Sequence, residues 1–181
     1  MIQTMIAAAA LLAVAPAAAQ TTPPAPNPAG KPAPCGDALH HQFDFWVGKW
    51  DVRPNGKDQI VAHSLIEKLY AGCAVRENWM PLGQPGGGGG SLSNYDTGTR
   101  GWRQAWVDSS GTRVDFSGGY ANDAMVLTGL WRGIIGPGKD GLVRMTYSRQ
   151  PGGKVRQLGE VSTDDGKSWS VSFDLIYSPA P

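Results

Sequence analysis

The sequence predicts an all-β protein, folded as a closed antiparallel up-and-down β-barrel of about eight to ten strands. Three observations predict this class. Turn-forming Gly, Pro, Asn and Asp clusters interrupt the chain at close intervals, short segments between them alternate apolar and polar residues, and amphipathic helical periodicity is almost missing. A chain of many short strands must close or split into two sheets to protect its edges, so a β-sandwich is the alternative.

The turn signals and the alternation together define the individual strands. In Trp102–Asp108, for example, one face collects Trp102, Gln104 and Trp106, and in Trp169–Leu175 apolar residues take every second place. The predicted strands are 49–54, 59–69, 73–80, 91–96, 101–107, 112–118, 123–131, 141–148, 154–162 and 168–177. Only residues 37–47 are expected to form a short helical turn, which would cap one end of the barrel.

The first 34 residues indicate export rather than folding. Residues 1–19 form an apolar run that ends in Ala17-Ala18-Ala19, which is typical of a cleaved signal peptide. Residues 20–34 are rich in Pro and Ala and predict a disordered linker, because Pro removes a backbone donor and fixes φ. The barrel domain is expected over 35–178, and the mature protein is expected in the periplasm or outside the cell.

Two cysteines, Cys35 and Cys73, agree with an oxidising compartment. Neither has a basic neighbour that would activate a thiol, so we expect a structural disulfide that ties the start of the domain to an interior strand. The charge is nearly balanced, with 16 basic and 15 acidic residues and no basic run. This balance argues against nucleic-acid binding and against membrane binding by the mature form, and it leaves the oligomeric state open.

The segment Phe43-Asp44-Phe45-Trp46-Val47-Gly48-Lys49-Trp50-Asp51-Val52 resembles an uncharacterised secreted bacterial family of lipocalin-like (calycin) barrels. Its Gly48-x-Trp50 is similar to the G-x-W motif on the first strand of lipocalins. That resemblance implies that Trp50 plugs one barrel end against a cation, which Arg156 or Arg144 would supply. It extends over roughly residues 35–177 and implies a fold rather than an activity.

Candidate site residues follow from the strand faces. Glu77, Trp79, Gln104, Trp106, Arg156 and Glu160 are the side chains expected to line a cavity, with an inward Arg156–Glu160 pair. Glu77, Asp108, Glu160 and Asp174 are the carboxylates on predicted strands; Gly48, Trp50, Cys35 and Cys73 are structural. The alternative for the charged residues is an outward, solvated position.

Metal and cofactor sites are not expected. His40 and His41 are adjacent, so on an extended chain their side chains point in opposite directions, and no third ligand is evident. His63 lies on the second predicted strand, and the sequence has no later His. Nitrobindin-like barrels resemble this architecture and hold haem through a C-terminal His, a ligand that this chain lacks. The residues Ser162–Trp169 resemble a single Asp-box and predict a hairpin turn held by an Asp side chain.

Seven Trp, most of them on predicted strands, would fill a core and could also form an aromatic cavity wall. We therefore expect an exported barrel that binds or carries a small apolar or amphipathic molecule. The alternatives are a small periplasmic hydrolase or isomerase that uses cavity carboxylates such as Glu77 and Glu160, and a structural envelope protein without catalytic activity.

Overall fold

The structure, a computed structural model, describes residues 34–181. The predicted signal peptide and all but the last residue of the predicted linker lie outside these residues. The described chain is almost entirely β-structure, and its ten strands, β1 to β10 in chain order, are Gly48–Pro54, Ala62–Leu69, Ala74–Pro81, Gly89–Asp96, Gly101–Asp108, Arg113–Ala121, Ala124–Gly136, Lys139–Gln150, Lys154–Ser162 and Ser170–Pro179. Three 3-10 turns accompany them, at Asp44–Trp46, Tyr70–Gly72 and Pro151–Gly153.

The strands form one closed barrel, which confirms the predicted fold class over the sandwich alternative. Every strand pairs antiparallel with its neighbour in sequence, and β1 closes the ring by pairing with β10. Trp50, for example, stands opposite Ser64 on one side and Pro179 on the other. Because β1 pairs with β10, the sheet has no free edge to protect.

All ten predicted strands are present, with shifted ends. β2 begins at Ala62 rather than at residue 59, and β7 runs on to Gly136 rather than ending at 131. The extension arises because β7 and β8 continue as a long hairpin, in which Gly136 pairs with Lys139 beyond an irregularity after Trp131. Pairing between strands therefore extends past the point where the alternation in the sequence ends.

One end of the barrel, which we call the closed end, is covered by residues 35–47. As predicted, this segment makes a helical turn, Asp44–Trp46, before β1. Phe43 and Trp46 are fully buried and stack with ring centroids 4.9 Å apart, and Phe43 also packs edge-on against Tyr147. The predicted disulfide joins Cys35 to Cys73, whose Cα atoms lie 5.0 Å apart, and so attaches the segment to the turn between β2 and β3.

Gly48 and Trp50 fix the entry into β1. The Trp50 indole N–H donates to the backbone oxygen of Trp46 at 2.9 Å. Gly48 has φ +153°, and a Cβ there would lie 3.3 Å from the Trp50 ring, so glycine provides both the backbone conformation and the space.

Within the described residues, the expected cation–π contact between a late arginine and Trp50 is not formed. Arg144 instead stacks on Trp169 at 4.2 Å, and Arg156 is paired with Asp174. Another late arginine, Arg149, lies 4.4 Å over the ring of Phe45, next to the segment that covers the closed end. Trp50 is thus buried near the closed end, but the cation contacts that the resemblance implied for Arg144 and Arg156 are wrong.

The opposite end, which we call the open end, carries the connections 55–61, 82–88, 109–112, 137–138 and 163–169. The last of these confirms the predicted Asp hairpin. Asp164 accepts hydrogen bonds from the backbone N–H and the hydroxyl of Ser168, and these bonds hold the pKa of Asp164 at about 2. Within residues 34–181, no helix is long and apolar enough to cross a membrane.

Candidate functional site

A cavity of about 190 Å³ lies inside the barrel and opens to solvent at one side. The covering segment closes the barrel on the side of Phe43 and Trp46, whereas Trp79 and Trp106 lie near the ends of their strands at the open end. The lining residues are inward-facing, and most are aromatic or apolar: Glu77, Trp79, Gln104, Trp106, Phe116, Trp131, Met145, Tyr147, Gln157, Phe173, Leu175 and Tyr177.

Four of the six predicted cavity residues are in this lining. Glu77 and Trp79 come from β3, and Gln104 and Trp106 come from β5. On both strands the inward side chains occur at every second position, as alternation on a barrel strand requires. The side chains that the alternation on β3 and β5 predicted to face inward thus lie together in one cavity.

The other two predicted residues, Arg156 and Glu160, are on the outside of β9. Gln157 of this strand lines the cavity, so its neighbours in alternation face the other way. Arg156 forms two hydrogen bonds of 2.7 Å with Asp174 on β10, and Glu160 accepts from Arg144 on β8 at 2.9 Å. The predicted inward Arg156–Glu160 pair is therefore wrong, and so is the pairing of Glu160 with Glu77 inside one cavity.

Glu77 is the carboxylate of the cavity. It is 5% exposed, and it contacts Ser64 Oγ at 3.1 Å, Ser91 Oγ at 3.2 Å and the Tyr177 hydroxyl at 3.3 Å. Burial removes the carboxylate from water and raises the pKa of Glu77 to about 7, although the three hydroxyl contacts oppose the rise. A carboxyl group with this pKa exchanges its proton near neutral pH.

A layer of polar side chains continues from Glu77 across the floor of the cavity. The Tyr177 hydroxyl donates to Gln157 Oε1 at 2.7 Å, and Gln157 Nε2 donates to the Tyr147 hydroxyl at 3.0 Å. Burial, together with the nearby Glu77 charge, raises the pKa of both tyrosines well above 10. On the β5 side Gln104 Nε2 donates to Ser93 Oγ at 3.0 Å. The floor is thus polar and fully buried, and it is uncharged whenever Glu77 is protonated.

Aromatic rings form the wall between this floor and the open end. The Trp106 indole N–H donates to Asp108 at 3.2 Å, and Asp108 also organises the following turn through Ser110. Trp131 packs edge-on against Phe116 with centroids 6.5 Å apart. A Cβ at Gly89 would lie 2.6 Å from the Trp106 ring, so the glycine makes room for the indole. Trp106 is therefore held by Asp108, which is outside the lining, and Trp131 packs against Phe116, which is part of it.

The three His residues are elsewhere. His40 is buried beneath the closed end, where Nδ1 lies 2.8 Å from Asp37 and the ring packs edge-on against Tyr95. His41 contacts Asp44, and exposed His63 contacts Asp51 at 2.9 Å. Within residues 34–181 there is no cluster of three or more His, Cys, Asp or Glu with the spacing of a metal site.

Most of the residues of the cavity floor were not predicted from the sequence. Tyr147, Gln157 and Tyr177 belong to the polar layer and were not proposed as site residues. The alternation of apolar residues could have predicted that two of them face inward. Tyr147 follows Val143 and Met145 at every second position of β8, and Tyr177 follows Phe173 and Leu175 in the same way on β10. Gln157 has no such signal, since a lone amide on a mixed strand does not indicate which face is inside.

Comparison with known proteins adds no assignment to this geometry. No protein-family model matches the chain, and no curated protein sequence matches it significantly.

Proposed function

We propose that this protein is an exported barrel that binds or carries a small apolar or amphipathic molecule. One observation carries the proposal: a cavity of about 190 Å³ with an aromatic wall over a buried polar floor. Small-molecule sites in proteins combine such a mostly apolar lining with a few placed polar groups. The polar groups here are Glu77, Gln104, Tyr147, Gln157 and Tyr177.

The volume limits the size of the ligand. An apolar cavity of about 150 Å³ accommodates benzene. A cavity of about 190 Å³ therefore suits a molecule with one ring and a small substituent, and a long acyl chain would have to extend into solvent. The ligand that the cavity favours is a compact molecule with an apolar body and one polar end.

The disulfide supports the exported part of the proposal. Bridges such as Cys35–Cys73 form in the periplasm and outside the cell, where thiols are not kept reduced. The apolar run that ends at Ala19 supplies the predicted export signal. Mass spectrometry of the protein from the non-cytoplasmic fraction tests this: loss of residues 1–19 supports export, and an intact chain with reduced cysteines contradicts it.

The alternative, a hydrolase or isomerase, requires two carboxylates such as Glu77 and Glu160 inside the cavity. Glu160 is instead on the outer surface, where it is paired with Arg144. Among the described residues that line the cavity, Glu77 is the single carboxyl group, and its neighbours are neutral hydroxyl and amide groups. This arrangement supports binding in preference to a mechanism that needs two carboxylates.

The binding proposal is tested with variants that fill the cavity. Leu175 lines the cavity, whereas Ile176, the next residue on β10, faces outward. We expect wild-type protein and Ile176→Trp to retain a small molecule from cell extract in native mass spectrometry, and Leu175→Trp to be empty. Circular dichroism establishes that both variants fold. A wild-type barrel that stays empty with extract and with aromatic probes at millimolar concentration overturns the proposal.

A further inference from the structure

The polar floor of the cavity contains a chain of hydrogen bonds that ends at Tyr147. It runs from Glu77 to Tyr177 at 3.3 Å, from Tyr177 to Gln157 at 2.7 Å and from Gln157 to Tyr147 at 3.0 Å. All four side chains are buried, and all four line the cavity. The chain therefore connects a titratable carboxyl group to a hydroxyl group that a ligand can contact.

The number of protons decides the direction of this chain. A tyrosine hydroxyl has one proton to donate, and that of Tyr177 goes to Gln157 Oε1, the shorter of its two contacts. Since Tyr177 has no second proton, a hydrogen bond then forms between Tyr177 and Glu77 only when a protonated Glu77 donates to the Tyr177 oxygen. In this state each group donates to the next, from Glu77 toward Tyr147.

At the far end, the hydrogen bond that Tyr147 donates within residues 34–181 goes to a sulfur atom, while the Gln157 and Gln104 amides contact its oxygen. The Tyr147 oxygen accepts from Gln157, and its own O–H points to the Met145 sulfur at 3.5 Å. A thioether sulfur is a poor acceptor compared with a carbonyl or ether oxygen. A ligand oxygen in the cavity would therefore gain a hydrogen bond that the protein itself leaves weak.

We propose that Tyr147 recognises the polar group of the ligand, and that this ligand is an uncharged aromatic molecule whose oxygen accepts the Tyr147 proton. The inference rests on the proposed binding function and specifies its ligand class. The aromatic body follows from the Trp79, Trp106 and Trp131 wall. The absence of charge follows because the lining contains the Glu77 carboxyl and, among the described residues, no Lys, Arg or His to balance a ligand carboxylate.

Glu77 sets the direction of the chain and so acts as a positioning residue. The titratable groups that face it are Tyr177 from β10 and Tyr147 from β8, while β2 and β4 present Ser64 and Ser91. Both tyrosines stay protonated because burial raises their pKa, whereas the pKa of Glu77 is about 7.

An ionised Glu77 can no longer donate, and it accepts the hydrogen bond that the Tyr177 hydroxyl donates. The amide of Gln157 then turns over, so that its nitrogen donates to Tyr177 and its oxygen accepts from Tyr147. The Tyr147 hydroxyl then donates its hydrogen bond to the Gln157 oxygen. It can no longer donate to a ligand whose oxygen accepts a hydrogen bond. Affinity for such ligands therefore falls as the pH rises through about 7.

The test uses three probes of similar size: acetophenone, α-methylstyrene, which replaces the carbonyl oxygen by CH₂, and benzoate, which carries a charge. Binding is measured by calorimetry or by quenching of tryptophan fluorescence in wild-type protein, Tyr147→Phe and Tyr70→Phe. Tyr70 lies in the exposed turn between β2 and β3 and is the matched control.

We expect wild-type protein to prefer acetophenone over α-methylstyrene by roughly three- to tenfold, the value of one neutral hydrogen bond, and to bind benzoate weakest. Tyr147→Phe should remove this preference, and circular dichroism establishes that the variant folds. Tyr70→Phe should behave as wild type. Between about pH 5.5 and about pH 8.5, wild type should lose most of the preference, whereas Glu77→Gln, which always has an amide proton to donate, should keep it.

The outcomes separate the two proposals. Equal affinity of wild type for acetophenone and α-methylstyrene, or an equal loss of both in Tyr147→Phe, overturns the role of Tyr147 and leaves the binding barrel intact. A preference that does not change with pH overturns the role of Glu77. If none of the three probes binds at millimolar concentration, the proposed binding of small aromatic molecules fails, and the assignment of Tyr147 fails with it.

Discussion

Gly159 on β9 stands directly opposite Phe173 on β10, and the Phe173 ring occupies the space that a side chain at 159 would need. A Cβ built on Gly159 would lie 2.3 Å from two carbons of that ring. Both residues face the barrel interior, and Phe173 is part of the cavity lining. The glycine thus lets an aromatic ring lie against the neighbouring strand, and the free volume of the cavity depends on this space.

Replacing Gly159 by Ala should therefore reduce the cavity. The new methyl group would displace the Phe173 ring, because contacts this short are not tolerated in a packed interior. We expect a loss of about 1–3 kcal/mol in the free energy of unfolding and weaker binding of aromatic probes. Urea denaturation and fluorescence titration measure the two effects.

Gly119→Ala is the matched control for this variant. Gly119 lies within β6, and a Cβ there would meet nothing within 4 Å. Its unfolding free energy and its affinity for probes should stay close to those of the wild type. If Gly159→Ala matches this control in both measurements, the Phe173 ring does not occupy the space beside residue 159.

The pH dependence of stability should reveal Glu77. Burial raises its pKa from 4.5 in the unfolded chain to about 7 in the folded protein. Between these values the folded state binds a proton that the unfolded state has released, so raising the pH favours unfolding. The difference in pKa corresponds to roughly 3 kcal/mol of stability, present below about pH 4.5 and lost by about pH 7.

Glu77→Gln should lack this loss, because an amide does not titrate. Urea denaturation of wild type and Glu77→Gln at several pH values isolates the contribution of Glu77 from that of the exposed aspartates. Parallel pH profiles for the two proteins would show that Glu77 is not buried as the structure describes.

The disulfide should contribute substantially to stability. Cys35 and Cys73 close a loop with a sequence separation of 38 residues. Cross-linking a loop of this length reduces the entropy of the unfolded chain, which corresponds to roughly 3–4 kcal/mol. We expect the Cys35→Ser/Cys73→Ser variant, and wild type with a reductant, to lose the same amount in urea denaturation. An unchanged midpoint in either case would argue against the bridge.

Trp50 should matter for stability and leave ligand binding unchanged. Trp50→Phe removes the N–H that donates to the buried Trp46 backbone oxygen, which should cost about 1–3 kcal/mol. Trp50 is outside the cavity lining, so probe affinity should be retained. Thermal unfolding and calorimetry measure the two quantities. Trp106→Phe changes the cavity wall, so it should lower probe affinity more than it lowers stability. A similar loss of affinity in Trp50→Phe and Trp106→Phe would contradict the conclusion that, of the two, only Trp106 contributes to the cavity.

Strand faces could be predicted where polar and apolar residues alternate clearly. On β5, Trp102, Gln104 and Trp106 alternate with Arg103 and Ala105, and the predicted face is the inner one. On β3, Glu77 was expected inside because it lies between Val75 and Trp79 at alternate positions, and it is buried there. The apolar residues at alternate positions thus correctly predict that the charged residue between them faces inward.

On β9 the same logic failed for a physical reason. Its inward positions include Gln157 and Gly159, which are polar or small, because one joins the hydrogen-bond chain and the other makes room for Phe173. Its outward positions include Leu158, so hydrophobicity does not separate the two faces. Both inward residues are determined by partners on β8 and β10, and the sequence of β9 alone does not contain this information.

The antiparallel closure of β1 on β10 has a practical consequence. Residue 48 enters β1 and residue 179 leaves β10 at the same rim, where the backbone N–H of Ala180 donates to Lys49 at 2.9 Å. That rim is opposite the connections that surround the cavity mouth. A label or a surface coupled after residue 179 would therefore be attached at the rim away from the connection 82–88 and would leave the cavity side of the barrel unobstructed.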